Sequence, residues 1–127
     1  MIRQWKEFEG GANHPAKRER LHATLNKKGI ILFNEKVFEA MGRPEAAVLL
    51  FDERQQTIGV RPAHAGERNI FPVRQKPGVS YRTICARPFC RHFGLNVPQT
   101  VAFPAAGFDR EGILVLDLHS AIDVKRV

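Results

Sequence analysis

Two seven-residue stretches, KVFEAMG at 36–42 and PFCRHFG at 88–94, share one apolar spacing and both end on glycine. Val37 aligns with Phe89, Phe38 with Cys90, Met41 with Phe93 and Gly42 with Gly94, without a gap. At helical period these side chains share a face, and the glycine stands where a helix end favours a left-handed residue. Each stretch is the middle of a longer pattern. In the first, Leu21–Leu25 reads as a strand, NKKG at 26–29 as a glycine turn and Ile30–Phe33 as a buried strand. Asn34 caps the helix, Ala47–Phe51 is a strand, DERQQ a turn, and Thr57–Arg61 a strand closed by Pro62. In the second, the strand Asn69–Arg74, the turn QKPG at 75–78 and the strand Ser80–Cys85 precede the helix that Pro88 opens. Thr100–Phe103, the long turn PAAGFDREG and Ile113–Leu118 follow it.

The same order of strand, strand, short helix, strand, strand thus occurs twice. A few short strands and two helical turns do not bury enough apolar surface to offset chain entropy. Each unit must cover the other. The predicted fold is α+β, mostly β: a small pseudo-two-fold barrel in which closure removes exposed strand edges. A single domain over 21–127, built of units 21–62 and 69–118, follows a basic N-terminal arm over 1–20. Trp5 and Phe8 lie three apart on that arm, ready to dock on the body or to join two copies as a homodimer.

A chain of 127 residues fits one domain. No apolar run approaches the ~18 residues of a membrane span, and MIRQWKEFEGG lacks the apolar core of a secretory signal. Two cysteines make no disulfide framework. The expectation is a cytoplasmic protein with reduced thiols and no membrane partner.

The net charge of +7 is unevenly spread. Residues 1–28 hold seven Lys/Arg against three Asp/Glu, residues 29–62 four against five, and residues 63–127 nine against five. The excess therefore lies on the arm and in the second half, where it favours a polyanionic partner. Lys17, Arg18 and Arg20 on the arm are candidate phosphate contacts, as arms are in other binders.

Residues 24–62, TLNKKGIILFNEKVFEAMGRPEAAVLLFDERQQTIGVRP, resemble the AbrB/SpoVT-like domain, a strand, glycine turn, strand, short glycine-ended helix and strand hairpin. The resemblance implies a swapped-hairpin barrel, duplicated within one chain as in MraZ-type proteins. It also implies a non-catalytic nucleic-acid-binding module like a bacterial transcription regulator, with DNA as partner. Carried over by position, Lys27 and Lys28 contact phosphate in the first unit, and Arg74, Lys76 and Arg82 flank the equivalent hairpin of the second. Two positions depart from the family: Ile30 follows Gly29 where arginine is usual, and Asn34 with Glu35 opens the helix where proline is usual. These departures, with the slightly acidic first unit, favour the alternative of a protein-interaction or small-ligand barrel without a DNA role.

Little else carries chemistry. Cys85, Cys90 and His92 are zinc-ligand types, but their C-x4-C-x-H spacing is no zinc knuckle, and both cysteines read as core residues. Asp117 and His119 share a face of the last strand without a nucleophile motif beside them. No phosphate-loop motif is present. The expectation is no catalytic residue, no metal and no cofactor.

Overall fold

The computed structural model of the chain describes residues 2–7 and 20–124. Phe8, Lys17 and Arg18 lie outside the described residues. Ten strands and two short helices follow in order: β1 (Ala23–Leu25), β2 (Ile30–Phe33), α1 (Glu35–Ala40), β3 (Ala46–Asp52), β4 (Thr57–Ala63) and β5 (Ile70–Pro72), then β6 (Arg82–Cys85), α2 (Arg87–Phe93), β7 (Val101–Ala102), β8 (Gly107–Phe108), β9 (Leu114–Asp117) and β10 (Ile122–Asp123). The protein is α+β and mostly strand.

Hydrogen bonding divides the strands into two antiparallel five-stranded sheets, ordered β10-β7-β1-β2-β6 and β5-β3-β4-β9-β8. The expected closed barrel is not formed. An isolated bridge, Arg74↔Thr83, links the chain after β5 to β6, and the strand ladders otherwise stop at the sheet edges. Each sheet draws strands from both halves of the chain. β1 pairs with β7, and β5 pairs with β3. At the centres, β2 lies on β6, with Ile30↔Cys85 and Phe33↔Arg82 at the ladder ends, and β4 lies on β9.

One apolar core joins the halves. Leu25, Ile31, Phe33, Val37 and Ile58 from the first meet Ile84, Phe89, Leu114 and Leu116 from the second. At about 25 cal/mol per Å² of apolar surface, this shared burial is the main force holding the halves together. The Phe51 and Phe93 rings pack tilted at 43° with 4.9 Å between centroids, and Phe89 lies edge-on to both.

Local chemistry sets the element ends. Asn34 caps α1 by accepting from the Val37 N–H at 3.1 Å, and its own N–H reaches the His22 carbonyl at 3.0 Å. Gly94, at φ 66, ends α2 in the left-handed region. Beyond shifts of one or two residues at most strand ends, three features differ from the sequence reading. β4 runs through Pro62 to Ala63, because β9 pairs only with Thr57–Val60 and leaves Pro62 on an unpaired side where its missing N–H costs no ladder bond. The long turn at 104–112 contains β8. The terminal strand β10, against β7, was not expected; its two residues are too few to show a period.

Trp5 is 82% exposed and Ile2 94%, so Trp5 does not dock on the body. The Arg3 guanidinium lies 5.8 Å from the Trp5 ring centre. Among the described residues, no helix is long and apolar enough to cross a membrane.

Candidate nucleic-acid interface

The turn between β1 and β2 is built by Asn26. Its side-chain oxygen accepts from the backbone N–H groups of Lys28 and Ile30, each at 3.0 Å, and its carbonyl accepts from Gly29 at 3.0 Å. Asparagine favours this side-chain-closed turn. Gly29, at φ 80, is buried against the start of α2, where Ala86 donates to its carbonyl at 2.8 Å. This contact leaves Lys27 and Lys28 exposed at the tip and brings them beside Arg87 and Arg91 on α2. The four cations line one cleft of about 290 Å³, with Leu25, Cys90, Leu95 and Val97 as its apolar wall.

Three further grooves surround the same turn. One, of about 740 Å³, again joins Lys27, Lys28 and Arg87. A second, of about 790 Å³, runs from Lys27 and Lys28 past Ile30 to Gln99 and Val124. On the other flank, a groove of about 660 Å³ lies over the outer face of β2 and β6, with Arg74 and Lys76 on its wall. Asn26 and Ile30 belong to both of the last two grooves, so the surfaces join there. None of the described residues lining the four grooves is acidic. Gln99 on the wall of the second donates to Asp123 at 2.6 Å.

Five of the sequence-derived candidates fare differently from one another. Lys27, Lys28, Arg74 and Lys76 are exposed on this connected surface. Arg82 does not belong to it. Its side chain is 7% exposed, donates to Glu35 Oε2 at 2.8 Å and to the Ser80 carbonyl, and lies with its guanidinium 4.0 Å from the centre of the Phe38 ring. The cause is strand parity: Arg82 shares the inward face of β6 with Ile84. Glu35 is thereby held between Arg82 and Arg43, the latter at 3.1 Å. Partial desolvation pushes the Glu35 pKa up, but the Arg43 hydrogen bond and the charge and hydrogen bond of Arg82 outweigh it and hold the carboxyl below its ordinary value.

Arg20 is exposed on the far side of β1, where its carbonyl accepts from Asn34 Nδ2 at 2.5 Å and the residue lines a separate groove with Phe103 and Ile122. It is not among the residues lining the turn grooves. Two further cations of the basic second half, Arg87 and Arg91, reach the turn; they carry no motif, and only the docking of Gly29 on α2 brings them there.

The cysteines separate as well. Cys90 is buried and its thiol pKa is raised by that burial, whereas Cys85 is exposed on the groove over β2 and β6. The expectation that both are core residues therefore fails for Cys85, which occupies the outward parity of β6 next to inward Ile84. Asp117 and His119 do not form a side-chain dyad of a strand face: Asp117 ends β9 and its carboxylate caps the following 3-10 turn by accepting from the His119 backbone N–H at 2.9 Å. Among the described residues, no group of three or more His, Cys, Asp or Glu is placed to hold a metal.

No protein-family model, curated protein or solved structure matches the chain.

Proposed function

We propose that the chain is a non-catalytic nucleic-acid-binding module whose contact surface is centred on the β1–β2 turn. One observation carries the reading: Lys27, Lys28, Arg87 and Arg91 converge on one cleft, Arg74 and Lys76 flank the adjoining groove, and no described acidic residue lines either. Cations distributed along connected grooves suit a polymer of phosphates better than a single small anion. Phosphate contacts supply affinity that is largely independent of sequence.

The halves of the module are proposed to be related by an approximate two-fold axis, which is what supports the AbrB/SpoVT-like comparison. The step that carries Val37 onto Phe89 and Gly42 onto Gly94 also carries Ile30 onto Arg82 and Phe33 onto Cys85. Each end of the β2–β6 ladder thereby lands on the opposite end of the same ladder. The β1–β7 and β5–β3 pairs exchange under the same operation, first strand of one half against third of the other. The second half departs where β7 and β8 stand in place of the unbroken β3, around Phe103–Ala106.

The test is a comparison of two double variants by fluorescence anisotropy with labelled oligonucleotides. Lys28→Ala/Arg91→Ala removes two cleft cations, and Arg54→Ala/Arg61→Ala removes two exposed cations outside these grooves. The first weakens binding by roughly tenfold or more, while the second, with the same loss of net charge, changes it little. Equal losses would assign the affinity to overall charge and reject the surface.

A further inference from the structure

We infer that the groove over β2 and β6 takes a single-stranded nucleic acid, with a base stacked on Tyr81; this rests on the nucleic-acid reading above and names the form of the ligand. The observation is the composition of a sheet face. Strand alternation turns Ile31, Phe33 and Ile84 into the core and leaves Ile30, Leu32, Thr83 and Cys85 facing outward, partly or fully exposed. An antiparallel sheet with one face toward water ordinarily alternates apolar with polar. β2 is apolar on both faces, and its outer face forms the floor of the 660 Å³ groove, together with half-buried Tyr81, the chain's one tyrosine.

Arg74 and Lys76 stand on the wall of that groove, and no described acidic residue lines it. An apolar and aromatic floor beside cations matches a ligand with flat hydrophobic faces joined by phosphates. A duplex hides its base faces in the stack and presents phosphates and base edges, which gives an apolar floor little to bind. A single strand exposes both parts. Its phosphates would meet Arg74 and Lys76, and its path onward crosses Asn26 and Ile30 to Lys27 and Lys28. A second copy of this chain is a poor occupant, because it brings the same excess of positive charge.

The experiment uses the full chain with a labelled mixed-sequence single-stranded DNA of about twelve nucleotides, long enough for a groove of this kind. The same oligonucleotide annealed to its complement is the duplex probe. The single strand is expected to bind about tenfold or more tightly than the duplex at low salt. Tyr81→Ala is expected to weaken single-strand binding about tenfold, and Tyr81→Phe, which keeps the ring, to bind as the unaltered chain does. Bound single strand should also slow maleimide labelling of Cys85, a readout that needs no substitution and so survives a misfolded variant. Duplex binding equal to or tighter than single-strand binding overturns this inference and leaves the broader reading standing. Single-strand preference with unchanged Tyr81→Ala affinity and unprotected Cys85 overturns the assignment to this face. Absence of binding to either probe at low salt overturns the nucleic-acid reading itself.

Discussion

Ala86 donates its backbone N–H to the carbonyl of Gly29 at 2.8 Å, and this one bond seats the β1–β2 turn on the start of α2. The approach is too close for any side chain at position 29: a Cβ there would lie 2.9 Å from the Arg87 Cα. Gly29→Ala must therefore push α2 away or distort the turn, and its φ of 80 adds the left-handed penalty of a non-glycine residue. The variant is expected to lose about 1–3 kcal/mol of unfolding free energy, measured by denaturant titration. Oligonucleotide affinity should fall with it, because Lys27 and Lys28 move relative to Arg87 and Arg91. Unchanged stability and affinity would show that the turn does not depend on this seat.

Arg82 and Glu35 join β6 of the second half to the start of α1 in the first. Arg82→Met removes the 2.8 Å bond and the stacking on Phe38 and is expected to cost about 1–3 kcal/mol. It should leave oligonucleotide affinity unchanged in the fraction that folds, since the side chain is not on the grooves. The pH dependence has a definite sign. The folded pKa of Glu35 lies below its ordinary 4.5, so the unfolded chain takes up its proton first as pH falls. The stabilisation is complete above about 4.5 and is lost as pH drops through the lower folded value. Denaturant midpoints across that acidic window should fall less steeply in Glu35→Gln than in the unaltered chain; parallel curves would contradict the assignment.

Cys85 and Cys90 should react as two distinct thiols. Cys85 is exposed, whereas Cys90 is buried and its pKa is raised by that burial, so little thiolate is available there. Maleimide in excess should label Cys85 quickly under native conditions and Cys90 only after denaturant is added, read by intact-mass spectrometry. Equal rates would mean that α2 opens readily and that the cleft is not a fixed surface.

Much of the fold is legible in the sequence because its determinants are local. Asn26 and Gly29 announce the turn, Asn34 the start of α1, and Pro88 and Gly94 the ends of α2. What escaped is long-range. Pro62 reads as a strand end until the neighbour on its other side is known to stop at Val60's partner Leu114. β7 and β8 part company around Phe103–Ala106, which a strand-length reading over Thr100–Phe103 does not show. Lys27, Lys28, Arg74 and Lys76, candidates carried over by position from the family resemblance, are exposed on the connected grooves. Arg82 was misplaced because its charge outweighed its parity, although RTIC puts it on the face of Ile84. Nothing local links Arg87 and Arg91 on α2 to the turn; the small residue at 29 that permits the contact reads, by itself, only as a turn former.

The salt dependence of oligonucleotide binding tests most directly the proposed gathering of phosphates on the cations around Asn26. Four phosphates neutralised on a single strand give a slope of about −3 for the logarithm of the association constant against the logarithm of salt concentration. A slope of about that steepness, flattened by Lys28→Ala/Arg91→Ala but not by Arg54→Ala/Arg61→Ala, is the expected result. Binding that is absent at low salt, or that salt leaves unchanged, would contradict it.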